Sequence, residues 1–233
     1  SEKLSHIELF AGCGGMSLGL DTAGYNLLFA NELSPMAAET FAYNLLRGED
    51  DKDQIQNTNW IRSQHPKTEY EQRLRENPFK AVIGNYCDLT NIEDFQNKML
   101  VGDINNLLDF LAENQSVVND LRTSNIDLLS GGPPCQGFSL AGLRVKNDYK
   151  NSLPWSFSRF AGIVKPKIVL LENVKGIIAP FQEGGEKYFA WIEMAKAFAL
   201  EGFVPVCMII NSKYFGIPQN RPRFIMLAFR IDI

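Results

Sequence analysis

The chain has 233 residues, of which 45% are hydrophobic, and it carries a formal net charge of −4 at pH 7. This length and apolar content suit one large domain with a sizeable core rather than two small ones. No apolar run approaches the roughly 18 residues that a membrane-spanning helix needs, and no signal peptide is visible, so we expect a soluble chain without membrane contact. The negative net charge is unusual for a protein that binds nucleic acid, although a local basic cleft can lie on an acidic surface.

The chain contains two histidines and four cysteines, which are Cys13, Cys87, Cys135 and Cys207. No two cysteines are spaced as Cys-x-x-Cys, and neither histidine lies near a cysteine in the sequence. We therefore expect no zinc site and no other metal site.

An apolar strand and a glycine-rich turn open the chain. Residues 7–20 predict a strand, a turn with Gly12, Gly14 and Gly15, and a short helix that Gly24 ends. Glycines in such a turn let a ligand approach the backbone at a helix N-terminus. A serine stands where the G-x-G-x-x-G fingerprint has its third glycine, so a dinucleotide is not the expected ligand.

An acidic residue ends the second predicted strand. Glu32 follows the apolar run 27–30 and lies 20 residues after Gly12. A carboxylate in this place suits a ribose diol. The glycine turn alone is equally typical of an ordinary strand-to-helix connection, but together with Glu32 it indicates a ligand that contains adenosine.

The following segment combines a helix start with a polar insertion. Ser34 and Pro35 are suited to the N-cap and the first position of a helix. Residues around 47–79 are polar and long for a connection, and they indicate only a short helix at 69–75. We interpret them as an insertion that is mobile or faces a partner, with a plain surface excursion as the alternative. A single helix is predicted over 105–121.

A stiff loop that contains a cysteine follows the buried strand predicted at 126–129. Residues 131–139 read Gly-Gly-Pro-Pro-Cys-Gln-Gly-Phe-Ser, in which the prolines fix φ and the glycines allow a tight backbone. Cys135 is then a thiol at a strand end, where open α/β sheets bind their ligands. A small buried cysteine is the alternative interpretation.

Two later segments place polar groups at strand ends. Glu172 and Asn173 follow the strand predicted at 167–171, and a glutamate there acts as a general acid when burial raises its pKa. An acid that faces solvent is the alternative. Arg221 and Arg223 lie on one face of an extended chain, which suits a phosphate or a base edge, with a solvated strand start as the alternative.

The C-terminal part continues the alternation of helix and strand. A helix is predicted over 186–200, and strands are predicted over 203–211 and 224–229. The sum of these elements predicts an α/β fold with a doubly wound, mostly parallel sheet.

In their order, these segments resemble the motifs of the cytosine-C5 DNA methyltransferase family, from Ile7 to about Phe229. The combination of Pro-Cys-Gln, Glu-Asn-Val and Gln-x-Arg-x-Arg is highly specific. Residues 102–104 and 151–153 resemble the family's third and fifth motifs. The resemblance implies a Rossmann-like fold that uses S-adenosyl-L-methionine and yields S-adenosyl-L-homocysteine, in a reducing cytoplasm where disulfides are not expected.

The resemblance also implies a set of residues that bind the cofactor. Phe10 is expected beneath the adenine, Glu32 at the ribose hydroxyls and Asp103 at the adenine amino group. Many family members have an aromatic residue where this chain has Leu33, and Asp88 remains an alternative to Asp103. The full set is Phe10, Ala11, Gly12, Cys13, Gly14, Gly15, Glu32, Leu33, Asp103, Ile104, Pro133 and Leu153.

By the same resemblance, Cys135 attacks C6 of a flipped-out cytosine, so that C5 accepts a methyl group. Glu172 is expected at N3 of the base and Arg223 at O2, with Arg221 beside them. The basic residues of the loop 141–150 are expected to close over DNA, with a solvated loop as the alternative. The residues expected at the substrate are Pro134, Gln136, Ser139, Asn173 and Gln219.

The sequence ends just after the eighth motif, whereas the family normally continues with a target-recognition region and a closing segment. We therefore expect residues 1–233 to be a catalytic domain, whose double-stranded DNA partner is read by a C-terminal region or a separate subunit. The leading function is DNA cytosine-5 methylation in a restriction–modification system. The alternatives are an RNA cytosine-C5 methyltransferase and a non-catalytic cofactor-binding subunit of a split enzyme.

Overall fold

The computed structural model describes residues 3–46, 57–79, 86–134, 149–183 and 186–233. The strands in these ranges are β1 (Leu4–Leu9), β2 (Tyr25–Glu32), β3 (Thr58–Trp60), β4 (Lys98–Val101), β5 (Leu128–Gly131), β6 (Ile168–Val174), β7 (Phe181–Glu183), β8 (Glu186–Tyr188), β9 (Phe203–Asn211) and β10 (Pro222–Arg230). The helices are α1 (Gly15–Thr22), α2 (Pro35–Phe41), α3 (Tyr70–Leu74), α4 (Ile104–Glu113), α5 (Gln115–Thr123), α6 (Tyr149–Val164) and α7 (Ala190–Leu200).

Eight strands form a mixed, mostly parallel sheet in the order β3-β4-β2-β1-β5-β6-β10-β9, while β7 and β8 form a separate hairpin. Strand β2 pairs in parallel with β1 and β4, and β10 pairs antiparallel with β6 and β9. Helices alternate with these strands along the chain, which confirms the α/β fold class expected from the sequence. None of the helices in the described ranges is long and apolar enough to cross a membrane.

Two compact units make up the chain, and the first comprises Ser1–Ser130. Both faces of its parallel strands are covered, so that the apolar residues Ile7, Phe29 and Met99 are fully buried. Helix α2 begins as the sequence predicts, since the Ser34 hydroxyl accepts a hydrogen bond from the Ala37 N–H at 3.5 Å.

Part of the polar insertion belongs to this sheet, contrary to the alternative interpretation of a plain surface excursion. Residues Thr58–Trp60 form the edge strand β3, which pairs in parallel with β4. The Trp60 side chain belongs to the core and is 2% exposed. Helix α3 lies inside the range 69–75 predicted for the short helix.

A buried ion pair holds the insertion together. The Arg73 guanidinium contacts the Asp88 carboxylate at 2.6 Å, and their side chains are 1% and 9% exposed. Asp88 also accepts a hydrogen bond from the Trp60 backbone N–H at 2.9 Å, and Arg73 donates to the His65 carbonyl at 2.9 Å. The Arg73 guanidinium also lies 5.3 Å from the centre of the Trp60 ring. Arg73 of α3 therefore contacts both β3 and the following loop at His65.

Two predicted helices differ from those in the structure. The helix predicted over 105–121 is divided into α4 and α5 at Asn114, whose ψ of 71° is not helical. The helix predicted over 186–200 begins only at Ala190, because Glu186–Tyr188 form β8.

The second unit comprises Gly131–Ile233 and contains the antiparallel strands. Strand β9 has the predicted bounds, and β10 extends the predicted range 224–229 by two residues at its start and one at its end. Buried aromatic rings of α6, α7 and β9 pack edge to face, with ring centres 5.7 Å apart for Phe157 and Phe198 and 6.3 Å apart for Phe198 and Phe203.

Replacing Arg73 by alanine is expected to lower the free energy of unfolding by about 3–5 kcal/mol, because Asp88 is left buried without its partner. The matched control is Arg75→Ala, since the Arg75 side chain is 83% exposed and its pair with Glu71 has a separation of 3.8 Å. Exposed pairs contribute about 0–1 kcal/mol. Urea denaturation of both variants measures the difference, and equal small losses would contradict a structural role for Arg73.

Candidate active site

The turn after β1 contains three residues whose backbone φ is positive. Phe10, Gly12 and Gly14 have φ values of 55°, 54° and 92°. A bulky residue such as Phe10 rarely adopts this left-handed region, and such strain clusters at functional sites. A Cβ at Gly14 would lie 2.4 Å from the side chain of Leu45, whereas a Cβ at Gly12 would meet nothing within 4 Å. The turn therefore packs inward at Gly14 and leaves open space at Gly12.

The carboxylate of Glu32 connects this turn to the end of β2. One oxygen accepts a hydrogen bond from the Gly12 N–H at 2.8 Å, and the other accepts one from the Ser34 N–H at 2.9 Å. Each carboxylate oxygen offers more than one lone-pair site, so Glu32 can still accept hydrogen bonds from a ligand. The predicted pairing of glycine turn and acid is thus a direct contact.

A surface cavity of about 200 Å³ lies at the ends of β2 and β4, and its lining includes Leu33, Gly102 and Asp103. Asp103 also caps α4, since its carboxylate accepts a hydrogen bond from the Asn105 N–H at 2.8 Å. Asp88, the alternative to Asp103, is committed to the buried pair with Arg73. Of these two acids, Asp103 lines the cavity and Asp88 does not.

The remaining cofactor positions expected in the first unit differ in exposure. Ala11 and Ile104 are buried, Cys13 is exposed, and Gly15 is the first residue of α1. Gly14 is the N-cap of that helix and supplies no side-chain cap, so the helix N-terminus offers backbone N–H groups.

A buried carboxyl group that the sequence analysis missed lies in β1. Glu8 is 2% exposed and forms a hydrogen bond with the Ser17 hydroxyl of α1. Burial raises the pKa of Glu8 to about 7, and the nearby charge of Glu32 acts in the same direction, while the bonds with Ser17 oppose it. The signal in the sequence was an acid between the apolar residues Ile7 and Leu9.

In the second unit, three predicted segments come together around Glu172. The Arg223 guanidinium contacts one oxygen of the Glu172 carboxylate at 2.7 Å. The other oxygen lies against Gly132, where an added Cβ would be only 3.2 Å from it. We call Gly132, Pro133, Glu172, Asn173 and Arg223 the Glu172 cluster. An arginine–carboxylate contact is a strong, charge-assisted hydrogen bond, so the acid is held in a fixed orientation.

Asn173 fixes the backbone that leads into the cysteine loop. Its side chain is buried and donates a hydrogen bond to the Pro133 carbonyl at 2.9 Å. Its amide oxygen accepts one from the Val174 N–H at 2.8 Å. The register of β6 and β10, in which Val174 lies opposite Arg223, sets the spacing of the cluster.

The other site residues expected in the second unit differ in exposure, and some lie outside the described residues. Gln219 and Arg221 are exposed, and the Arg221 N–H donates to the Asn211 side chain at 3.1 Å. Leu153 is buried in α6, and Pro134 is half-buried at the end of the described segment. Cys135, Gln136, Ser139 and nearly all of the basic loop 141–150 lie outside the described residues.

Two of the described cysteines, Cys87 and Cys207, differ from an activated nucleophile. Cys13, Cys87 and Cys207 are free thiols, and burial raises the pKa of Cys87 and of Cys207. A raised pKa lowers the thiolate fraction and with it the reactivity. Within the described ranges, no group of histidine, cysteine and acidic residues is arranged to hold a metal ion.

A family model described as C-5 cytosine-specific DNA methylase matches residues 4–69 and 70–233. The chain therefore belongs to the C-5 cytosine-specific DNA methylase family. The type II methyltransferase M.DdeI of Desulfomicrobium norvegicum is 30% identical over 226 residues, which cover 97% of this chain and 40% of that protein. The type II methyltransferase M1.HphI of Haemophilus parahaemolyticus is 28% identical over 229 residues, which cover 97% of this chain and 46% of that protein.

The chain thus spans less than half of the length of these two curated relatives. Among solved structures, the S. pombe Dnmt2 methyltransferase is similar with a TM-score of 0.55 at 18% identity, over 99% of this chain and 50% of that one. This likeness shows a shared methyltransferase fold.

Glu8→Gln is expected to change the pH dependence of stability. The folded-state pKa of about 7 lies above the ordinary value of 4.5, so the contribution of Glu8 is full below pH 4.5 and is lost as the pH rises to about 7. With a slope that approaches about 1.4 kcal/mol per pH unit between the two pKa values, the wild type should lose about 2 kcal/mol relative to the variant between pH 5 and 7.

Urea denaturation of both proteins at several pH values measures this difference. Their comparison also removes the contribution of His6, whose pKa burial lowers to about 4 and whose effect on stability therefore has the opposite sign. Parallel pH profiles would contradict a buried, proton-binding Glu8.

Proposed function

We propose that this chain is the catalytic region of a DNA cytosine-5 methyltransferase of the restriction–modification type, which uses S-adenosylmethionine and a covalent bond between Cys135 and cytosine C6. The observation that carries the proposal is the Glu172 cluster. In it, an acid and a guanidinium contact each other beside the backbone from which the cysteine loop departs. Type II methyltransferases among the relatives support the same reaction.

The residues of the first unit fit S-adenosylmethionine. Gly12 leaves open space next to a strained turn, and the Glu32 carboxylate has lone pairs left for a ribose diol. The cavity at Asp103 offers an acceptor for an amino group beside the apolar side chain of Leu33. When bound, the cofactor supplies an electrophilic methyl group.

On the substrate side, the Cys135 thiolate forms a bond to C6 of the flipped-out cytosine, and the ring electrons that this displaces make C5 nucleophilic. After C5 is methylated, loss of its proton and cleavage of the sulfur–C6 bond restore the aromatic ring and the thiolate. Asn173 contributes by holding the Pro133 carbonyl, which fixes the start of the loop that presents the thiol.

Glu172 and Arg223 bind the N3 and O2 edge of the base. Negative charge develops at this edge when the thiolate adds to C6. Glu172 holds a proton at N3, and Arg223 donates to O2 while it orients the Glu172 carboxyl group. Groups that are already oriented need no rearrangement as charge develops, which is the main electrostatic advantage of such a site.

The first experiment is a covalent trap. Duplex DNA that contains 5-fluorocytosine has no proton to lose at C5, so the bond between enzyme and base persists after methylation. With S-adenosylmethionine, the wild type should form a DNA adduct that resists denaturation, and Cys135→Ser should form none because a hydroxyl is a far weaker nucleophile. Cys207→Ser is the matched control, since its thiol lies in β9 and has a raised pKa.

The substrate and the chain length are varied in parallel. The assay uses the chain alone and the chain joined to the C-terminal part of a relative, each with DNA and with RNA. An adduct with Cys135→Ser would overturn the choice of nucleophile, and an adduct with RNA alone would replace the DNA assignment by the RNA alternative.

The second experiment is calorimetric titration with S-adenosylhomocysteine. Glu32→Ala and Phe10→Ala are each expected to weaken binding by about tenfold or more, which corresponds to the loss of one or two good contacts. Glu71→Ala is the control, because its side chain is 79% exposed on α3. Unchanged binding in both pocket variants would contradict the cofactor site.

A further inference from the structure

The insertion forms half of the cavity at Asp103. Six of the twelve lining residues come from it, and they are Trp60, Arg62, Gln64, Glu76, Asn77 and Pro78. Pockets for whole drug-sized ligands measure about 300–1,000 Å³. A cavity of about 200 Å³ therefore suits one ring system of a larger ligand.

This second wall is built on buried contacts rather than on a loose loop. Trp60, which lines the cavity, is fixed by the Arg73–Asp88 pair described above. The Glu76 carboxylate accepts hydrogen bonds from the Ser63 hydroxyl at 2.9 Å and from the Gln64 N–H at 2.5 Å. These bonds hold the end of α3 against the loop after β3, so the wall keeps its shape without a ligand.

The lining combines apolar side chains with one cation and two acids. Arg62 is the one positively charged residue in the lining, and it forms no ion pair with an acid of the described residues. Two acids, Glu76 and Asp103, line the same cavity. A guanidinium has five N–H donors and no acceptor, whereas the ring nitrogens of a purine base are acceptors.

We propose that the insertion is the second wall of the base-binding cavity and that Arg62 donates a hydrogen bond to a ring nitrogen of the cofactor's adenine. This inference rests on the proposed function and deepens it. Leu33 offers apolar contact for the face of the ring, while the N–H groups of Arg62 suit the nitrogens at its edge. Arg62 is thus a residue that determines cofactor specificity, contributed by a segment outside the sequence motifs.

The test is calorimetric titration of the wild-type chain and of Arg62→Ala with S-adenosylhomocysteine. Three analogues are titrated alongside, in which N1, N3 or N7 of the ring is replaced by CH. Arg62→Ala should bind S-adenosylhomocysteine about tenfold more weakly. One analogue should bind the wild type about tenfold more weakly than S-adenosylhomocysteine does. The same analogue and S-adenosylhomocysteine should bind Arg62→Ala equally well. The atom replaced in that analogue is then the nitrogen that Arg62 contacts.

Arg75→Ala, on the exposed side of the insertion, should bind all four ligands like the wild type. Denaturation midpoints confirm that each variant is folded. If Arg62→Ala binds like the wild type while Glu32→Ala is weakened, the inference is overturned and the proposed function stands. If every analogue loses the same factor in both proteins, Arg62 reads no ring nitrogen and the inference is overturned. A folded wild type that binds none of the ligands overturns the cofactor assignment and the inference together.

Discussion

The two hydrogen bonds of Glu32 are the constraint on which the first unit's site depends. They join the turn after β1 to the start of α2, through the N–H groups of Gly12 and Ser34. A partly buried N–H that loses its partner costs about 1–3 kcal/mol, so the acid stabilises the turn before any ligand binds. The same contacts fix Leu33, which lies between the two bonded segments at the edge of the cavity. One side chain therefore shapes both the open turn and the ring-sized cavity.

The second unit uses an acid at a strand end in a related manner. Glu172 is held by Arg223 from the neighbouring antiparallel strand, and its free side is limited by Gly132. Asn173, the next residue, points its hydrogen bonds at the backbone of Pro133 and Val174. Successive residues of one strand thus have different partners, since Arg223 orients Glu172 and Asn173 fixes the backbone at Pro133.

The sequence predicted the strands of the central sheet well, because their apolar runs are long and end at glycines or polar residues. It did not predict β3 or β4, since strands of three and four residues are too short to show a clear periodicity. The sequence also predicted one helix across Asn114, because the apolar spacing continues from α4 into α5 although the backbone at Asn114 is not helical. The contacts of Arg62 and Arg73 depend on how the insertion folds back onto the sheet, and no local pattern encodes such pairings. Conversely, Glu172 and Arg223 were expected near one another only through the family resemblance.

The protonation of Glu8 gives the glycine turn a property beyond its shape. A group with a pKa of about 7 is half protonated at neutral pH, and Glu8 interacts with the charge of Glu32. Any ligand that changes the charge or the hydration beside Glu32 will therefore shift the proton occupancy of Glu8 as well. Ligand binding at neutral pH is then coupled to proton exchange with the buffer. The measured binding enthalpy therefore includes the ionisation enthalpy of the buffer that is used.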